Sequence, residues 1–225
     1  MIAAGFDFDH TLGTDGGLER QALYAYAREL GRPLADGDDG PKRSVDECLA
    51  SFRNGALSMD AAIAHFGTVL GAHATGARWR EICCGLVDEL VRPIDGAVEM
   101  LARLQQRGVR IAILTNGWTP LQQRKIARAL GAIDFPVLVS DRLGVQKPAR
   151  AAFDALVAAL AVDRSDIWYV GDNPAADVAG ALGAGLRAVW FDWEGVPYPP
   201  DAPAPTRRIH ALRELEDAVE NTYAP

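Results

Sequence analysis

Five short apolar runs punctuate the chain, at residues 2–8, 110–114, 136–139, 167–170 and 187–191. Each is rich in Ile, Val, Phe, Trp or Ala and ends near Asp, Asn or Gly. Such runs predict strands buried on both faces, as in a parallel sheet. Between the later runs the apolar positions switch to helical spacing. Val98, Leu101 and Leu104 mark a helix over 96–107, and similar patterns cover 121–130 and 149–161. Gly108 and Gly131 stand where the first two of these helices should stop. Alternating strands and helices predict an α/β fold with right-handed crossovers.

The stretch 17–92 breaks that alternation, because it holds no convincing strand. Its pattern predicts helices over 17–30, 44–52, 58–70 and 77–91, with Gly31-Arg32-Pro33 and Gly37-Asp38-Asp39-Gly40-Pro41 separating the first two. The expected organisation is therefore a core made of residues 1–16 and 93–225, interrupted by a helical module over 17–92. Residues 196–205 are Pro-rich and read as a loop, leading into a last helix over about 210–219.

Composition narrows the partners. At 225 residues and 49% hydrophobic, the chain can bury a sizeable core. Thirty acidic against 23 basic residues give a net charge of −7, which argues against a nucleic-acid polymer as partner. No apolar run is long enough to span a membrane. The start of the chain lacks the basic, then apolar, character of a secretory leader. Cys48, Cys83 and Cys84 have no metal-ligand spacing. Free buried thiols in a reducing cytoplasm are the expected state. Oligomeric state has no sequence signal.

Candidate chemistry lies at the ends of the predicted strands. In Asp7-Phe8-Asp9-His10-Thr11, the two acids are two residues apart and share a strand face. They stand at the carboxyl end of the first strand, where open α/β sheets place ligands. Two carboxylates this close call for a cation, a shared proton or solvent exposure. Thr115-Asn116-Gly117 ends the second core strand with a hydroxyl and a flexible turn, suited to phosphoryl oxygens but also an ordinary turn. Lys147-Pro148 precedes a helix start. Asp172-Asn173-Pro174-Ala175-Ala176-Asp177 ends a strand with an acid and repeats one five residues on, a pattern that also suits a helix cap.

In this order and at these strand ends, the four segments together resemble the haloacid dehalogenase-like hydrolase superfamily. The resemblance covers 2–11 and 93 to about 191. It implies a Rossmann-like parallel sheet of order 5-4-1-2-3, with 17–92 as the helical cap that one subgroup carries. It further implies a phosphatase acting on a small phosphorylated metabolite. Asp7 would be the nucleophile that becomes an aspartyl-phosphate, and Asp9 the acid and base for leaving alcohol and water. Thr11 would hold the loop and orient Asp9. Thr115 and the backbone of Asn116 would bind phosphoryl oxygens, with Lys147 offsetting charge. Mg²⁺ would be held by Asp7, the Asp9 carbonyl and Asp172, with Asp177 nearby. Lys147 alone cannot balance these acids and a phosphate dianion, and hard oxygen ligands suit Mg²⁺ rather than zinc.

The Thr-Asn-Gly form and the five-residue acid spacing look most like the branch of 5'-nucleotidases and sugar-phosphate phosphatases. Trp118, just beyond, either offers a stacking face to a base or packs between core and cap. His10 stands where many relatives have glycine, and its side chain either reaches the pocket or points to solvent. A dehalogenase would lack Asp9, because a halide leaves without a proton. A phosphomutase would keep both acids. A non-catalytic binding protein of the same fold is expected to have lost part of the set.

Overall fold

The computed structural model describes residues 2–34, 39–53 and 56–215. The chain divides into two compact units, Met1–Thr14 with Arg92–Pro225, and Asp15–Val91.

Among the described residues the first unit has eight strands: β1 (Ala3–Phe6), β2 (Gly13–Thr14), β3 (Arg92–Pro93), β4 (Arg110–Thr115), β5 (Val137–Val139), β6 (Ile167–Gly171), β7 (Arg187–Phe191) and β8 (Arg207–Ile209). Six form one sheet in the order β5-β4-β1-β6-β7-β8, all neighbours parallel. Numbering the five expected core strands by sequence gives the expected 5-4-1-2-3 order, with β8 added outside the fifth. β1 and β6 are buried along their whole length. This is why their sequences carry no polar alternation.

β8 was not expected. Its Arg-Arg-Ile sequence has no apolar run, and its place depends on pairing with β7, Val189 opposite Arg207 and Phe191 opposite Ile209. Arg208 then lies over the Trp190 ring, 4.6 Å from guanidinium carbon to centroid, and pairs with Asp192. Of the expected helix over 210–219, residues 210–213 form bends and turns, 214–215 are helical, and 216–219 lie outside the described residues. The two-residue β2 and β3 pair antiparallel, too short for any period to announce them.

Helices of this unit lie where the period predicts them, although Val98, one of the three positions predicted to mark the first stripe, is 43% exposed. α5 (Ala97–Gln106) buries Ala97, Met100, Leu101 and Leu104. α6 (Leu121–Leu130) stops at Gly131, whose φ of 73° is cheap for glycine. α7 (Ser140–Leu143) is a single turn after β5. α8 (Arg150–Leu160) packs Phe153, Leu156 and Leu160 with Leu114, Tyr169 and Trp190 in one core layer. A turn of π-helix, Pro174–Ala179, runs into α9 (Gly180–Gly183).

The second unit is helical: α1 (Leu18–Glu29), α2 (Asp39–Arg53), α3 (Met59–Val69) and α4 (Gly76–Leu90). α2 starts at Asp39, upstream of the expected 44, so Gly40 and Pro41 lie in its first turn. Proline is tolerated there because that turn has no internal N–H partner to lose. Ser58 and Thr75 cap α3 and α4 by accepting from Ala61 and Arg78 N–H. Ile63, Phe66 and Trp79 fill the interior, Phe52 meets Trp79 edge-on at 5.6 Å, and the Thr75 N–H donates to the Tyr26 hydroxyl at 2.9 Å. Cys48, Cys83 and Cys84 form no disulfide among the described residues; the first two are buried and Cys84 is partly exposed. Among the described residues no helix is long and apolar enough to cross a membrane.

Candidate active site

Sheet register brings the motifs together. Phe6 lies opposite Ile113 on β4 and Val170 on β6. Asp7, the next residue, is still tied to the sheet by its N–H donating to the Val170 carbonyl at 2.9 Å. Its flanking strands therefore deliver Thr115 and Asp172 one step further along the same carboxyl edge.

Asp7, Asp172 and Asp177 converge there, with carboxylate oxygens all within 4.8 Å of one another. One lysine faces them. Lys147, 3% exposed, places its ammonium 2.8 Å from Asp7 Oδ1, 2.7 Å from Asp177 Oδ1 and 3.0 Å from the Tyr169 hydroxyl. Burial disfavours the charge on Lys147. Asp177 and Asp7 outweigh it and hold the ammonium pKa well above its ordinary value. Burial raises Asp7, with Lys147 opposing and Asp177 adding. Asp172 is pushed up to about 8, first by burial, then by Asp7 and Asp177. Three acids against one ammonium leave an excess of negative charge in a poorly solvated place. The donor set is all oxygen, and Asp172 is the acid with no ion-pair distance to Lys147. A hard divalent cation fits that arrangement.

Each acid is held locally. The Asp172 carbonyl accepts from Trp190 Nε1 at 2.9 Å. Asn173, not Asp172, is the helix cap: its Oδ1 accepts from Ala175 and Ala176 N–H at 3.0 and 2.9 Å. The wide π-turn carries Asp177 back so that its Oδ2 accepts from the Asn173 N–H at 3.0 Å. Gly171 makes that approach possible, since a Cβ there would lie 2.3 Å from Asp177 Cγ.

The Thr-Asn-Gly turn is bolted in place. The Asn116 side chain makes two hydrogen bonds to the Lys147 peptide: Oδ1 accepts from its N–H at 2.9 Å, and Nδ2 donates to its carbonyl at 3.0 Å. Asn116 thus positions Lys147 through its side chain. Ser140 exchanges hydrogen bonds with the Gly117 backbone, and Thr119 donates to Asp141 from both its N–H and its hydroxyl.

Asp9 departs from the cluster. Its carboxylate turns to α6, where Gln122 Nε2 donates to Oδ2 at 2.8 Å and Lys125 pairs with Oδ1. Thr11, expected to orient Asp9, has a fully buried hydroxyl with no hydrogen-bond partner among the described residues. The orienting groups are Gln122 and Lys125 instead. Neither was singled out in the sequence, although a signal existed. The buried stripe of α6 is Leu121, Gln122, Lys125, Ile126 and Ala129, so two polar residues occupy positions that the helical period assigns to the core. Tyr169, whose hydroxyl donates to the Leu114 carbonyl at 2.8 Å beside Lys147, carried no such signal in its apolar run.

His10 adopts φ of 59°, is exposed and stacks on Trp193 at 6.3 Å between centroids. Trp118 is only 9% exposed, which favours packing over a stacking face. His65, His73 and His210 join no metal-competent group among the described residues; His210 Nδ1 sits 2.9 Å from the Asp192 carbonyl.

A family model described as haloacid dehalogenase-like hydrolase matches residues 3–185. A phosphoserine phosphatase of Thermus thermophilus is 41% identical over 120 residues, 53% of this chain and 48% of that protein. A ribulose-1,5-bisphosphate 5-phosphatase of Halopiger xanaduensis is 43% identical over 191 residues, 84% of this chain and 71% of that protein. The first alignment therefore spans about half of its relative's length. Among solved structures, the magnesium-bound HAD-hydrolase YfnB of Bacillus subtilis superposes with a TM-score of 0.77 at 25% identity, covering 97% of this chain and 98% of that one.

Proposed function

The chain belongs to the haloacid dehalogenase-like hydrolase family, and from that premise we propose that it is a magnesium-dependent phosphatase of small phosphorylated metabolites, working through an aspartyl-phosphate on Asp7. The observation that carries this reading is the convergence of Asp7, Asp172 and Asp177, with the buried ammonium of Lys147 paired to Asp7 and Asp177.

Asp7 would attack phosphorus. Lys147 touches one of its oxygens, which keeps the carboxylate oriented and offsets charge as the phosphoryl group arrives. The Thr115 hydroxyl and the Asn116 N–H would hold phosphoryl oxygens. Asp9 would protonate the departing alcohol, then take a proton from the water that cleaves the aspartyl-phosphate. Asp7, Asp172 and the Asp9 carbonyl would hold Mg²⁺, with Asp177 at their side. When bound, the ion would neutralise the acid cluster and the phosphate dianion. The helical unit is read as the family's cap, the module that sets substrate preference. The buried Trp118 lends no weight to a nucleotide over a sugar phosphate. Asp9 weighs against a dehalogenase.

Replacing Asp9 by asparagine tests the acid role. Turnover of an alkyl phosphate should fall by on the order of a hundred- to ten-thousandfold, because its alkoxide needs a proton to leave. In single-turnover experiments the loss with p-nitrophenyl phosphate should be much smaller. Equal losses on the two esters would remove Asp9 from leaving-group protonation.

Metal binding has a readout independent of catalysis. At a hundred times its Kd, Mg²⁺ should stabilise the protein by about 2.7 kcal/mol, or roughly 5–10 °C in melting temperature for a chain this long. Asp172→Asn should cancel most of that shift. An equal shift in both proteins would take Asp172 out of the cation site.

A further inference from the structure

We propose that Gln122 and Lys125 form a clamp on one face of α6 that fixes the Asp9 carboxylate and turns the Thr115 hydroxyl proton towards substrate. The inference rests on the phosphatase reading and deepens it, by adding two positioning residues to the same site.

The two side chains are 2% and 3% exposed, on the stripe that the rest of α6 fills with Leu121, Ile126 and Ala129. Burying an amide and an ammonium is costly unless each finds partners. Lys125 finds Asp9 Oδ1. Gln122 Nε2 lies 2.8 Å from Asp9 Oδ2, 2.7 Å from Thr115 Oγ1 and 3.2 Å from the Asn116 carbonyl. The backbone has been shaped for this approach: a Cβ on Gly117 would lie 2.8 Å from Gln122 Cγ, and Gly117 takes a φ of 144° that suits glycine.

Donor and acceptor roles follow from the chemistry of the groups. A carboxylate only accepts, so the end of Gln122 facing Asp9 must be its NH₂. That NH₂ has no lone pair to offer Thr115, so Thr115 Oγ1 accepts from it. The Thr115 proton must then point away from Gln122. Its partner within the protein is the Asn116 carbonyl at 3.3 Å, a long contact that a phosphoryl oxygen can replace. Gln122 therefore serves two functional groups at once. One of its hydrogens steadies the proposed acid, and the other forces the proposed phosphate-binding hydroxyl to act as a donor. Lys125 holds the second Asp9 oxygen, so the carboxylate cannot rotate freely between leaving group and water.

The two halves of the clamp separate experimentally, using the full chain with Mg²⁺, p-nitrophenyl phosphate and a simple alkyl phosphate. Lys125→Met should lower kcat on the alkyl ester by on the order of tenfold or more relative to the nitrophenyl ester, because only the former depends on a well-placed acid. KM should change little, and Lys125→Arg should recover part of the ratio. Should Lys125→Met not fold, Lys125→Gln, which keeps a neutral donor, carries the same comparison. Gln122→Leu should instead weaken competitive inhibition by inorganic phosphate by roughly tenfold, since one oriented donor to a charged ligand is lost, whereas Lys125→Met should leave that inhibition near wild type. A wild-type enzyme active on both esters whose Lys125 variants lose both in proportion, or whose Gln122→Leu variant binds phosphate normally, would overturn the clamp alone. A wild-type protein that hydrolyses neither ester would overturn the phosphatase reading, and the clamp with it.

Discussion

Asp7→Asn is expected to reduce phosphatase turnover by at least about a thousandfold while leaving the protein folded, because an amide is a poor nucleophile towards phosphorus and the proposed covalent step runs through Asp7. Lys147 would keep Asp177 as its ion-pair partner at 2.7 Å. One acid fewer in a cluster with excess negative charge should cost the metal-free protein little or even stabilise it. The check is kcat on p-nitrophenyl phosphate beside a thermal melt of the same preparation. Near-wild-type turnover in a folded variant would reject Asp7 as nucleophile. A collapse in melting temperature would instead show Asp7 to be chiefly structural.

The second large effect concerns Lys147. Replacing it with methionine keeps much of its length but strands Asp7 and Asp177 without their cation. Breaking a buried ion pair by removing one partner typically costs about 3–5 kcal/mol, which for a chain this long is roughly 6–20 °C in melting temperature. Activity should fall at least about a hundredfold, since the charge that Lys147 sets against the nucleophile and the arriving phosphate is gone. A double variant, Lys147→Met with Asp177→Asn, separates the two losses. It should recover much of the stability, because one stranded acid becomes neutral, and almost none of the activity. Recovery of both together would mean that the ammonium matters only for folding.

Sequence alone determined the layers of this protein and the placement of its acids. Runs such as 167–170 read as strands buried on both faces. Asp7 lies at the end of such a run, Thr115 follows one directly and Asp172 one residue later, so any parallel sheet places them on one edge. The stop at Gly131 and the Leu101 and Leu104 positions of α5 were equally legible, because helical period and a positive φ are local properties, whereas Val98, expected on the same stripe, is exposed. What tertiary structure alone decided is what depends on partners distant in the chain. β8 exists because β7 offers an open edge, not because Arg207–Ile209 prefers to be extended. Tyr169 looks like core until the fold sets its hydroxyl 3.0 Å from Lys147. Asn116 was read for its backbone, yet its side chain is committed to the Lys147 peptide across 31 residues of sequence. Asp9 and Thr11 lie two residues apart, and the family resemblance joined them. The fold instead turned Asp9 to Gln122, 113 residues away. A carboxylate takes its orientation from whichever buried donors reach it, and reach is a property of packing, which no local pattern encodes.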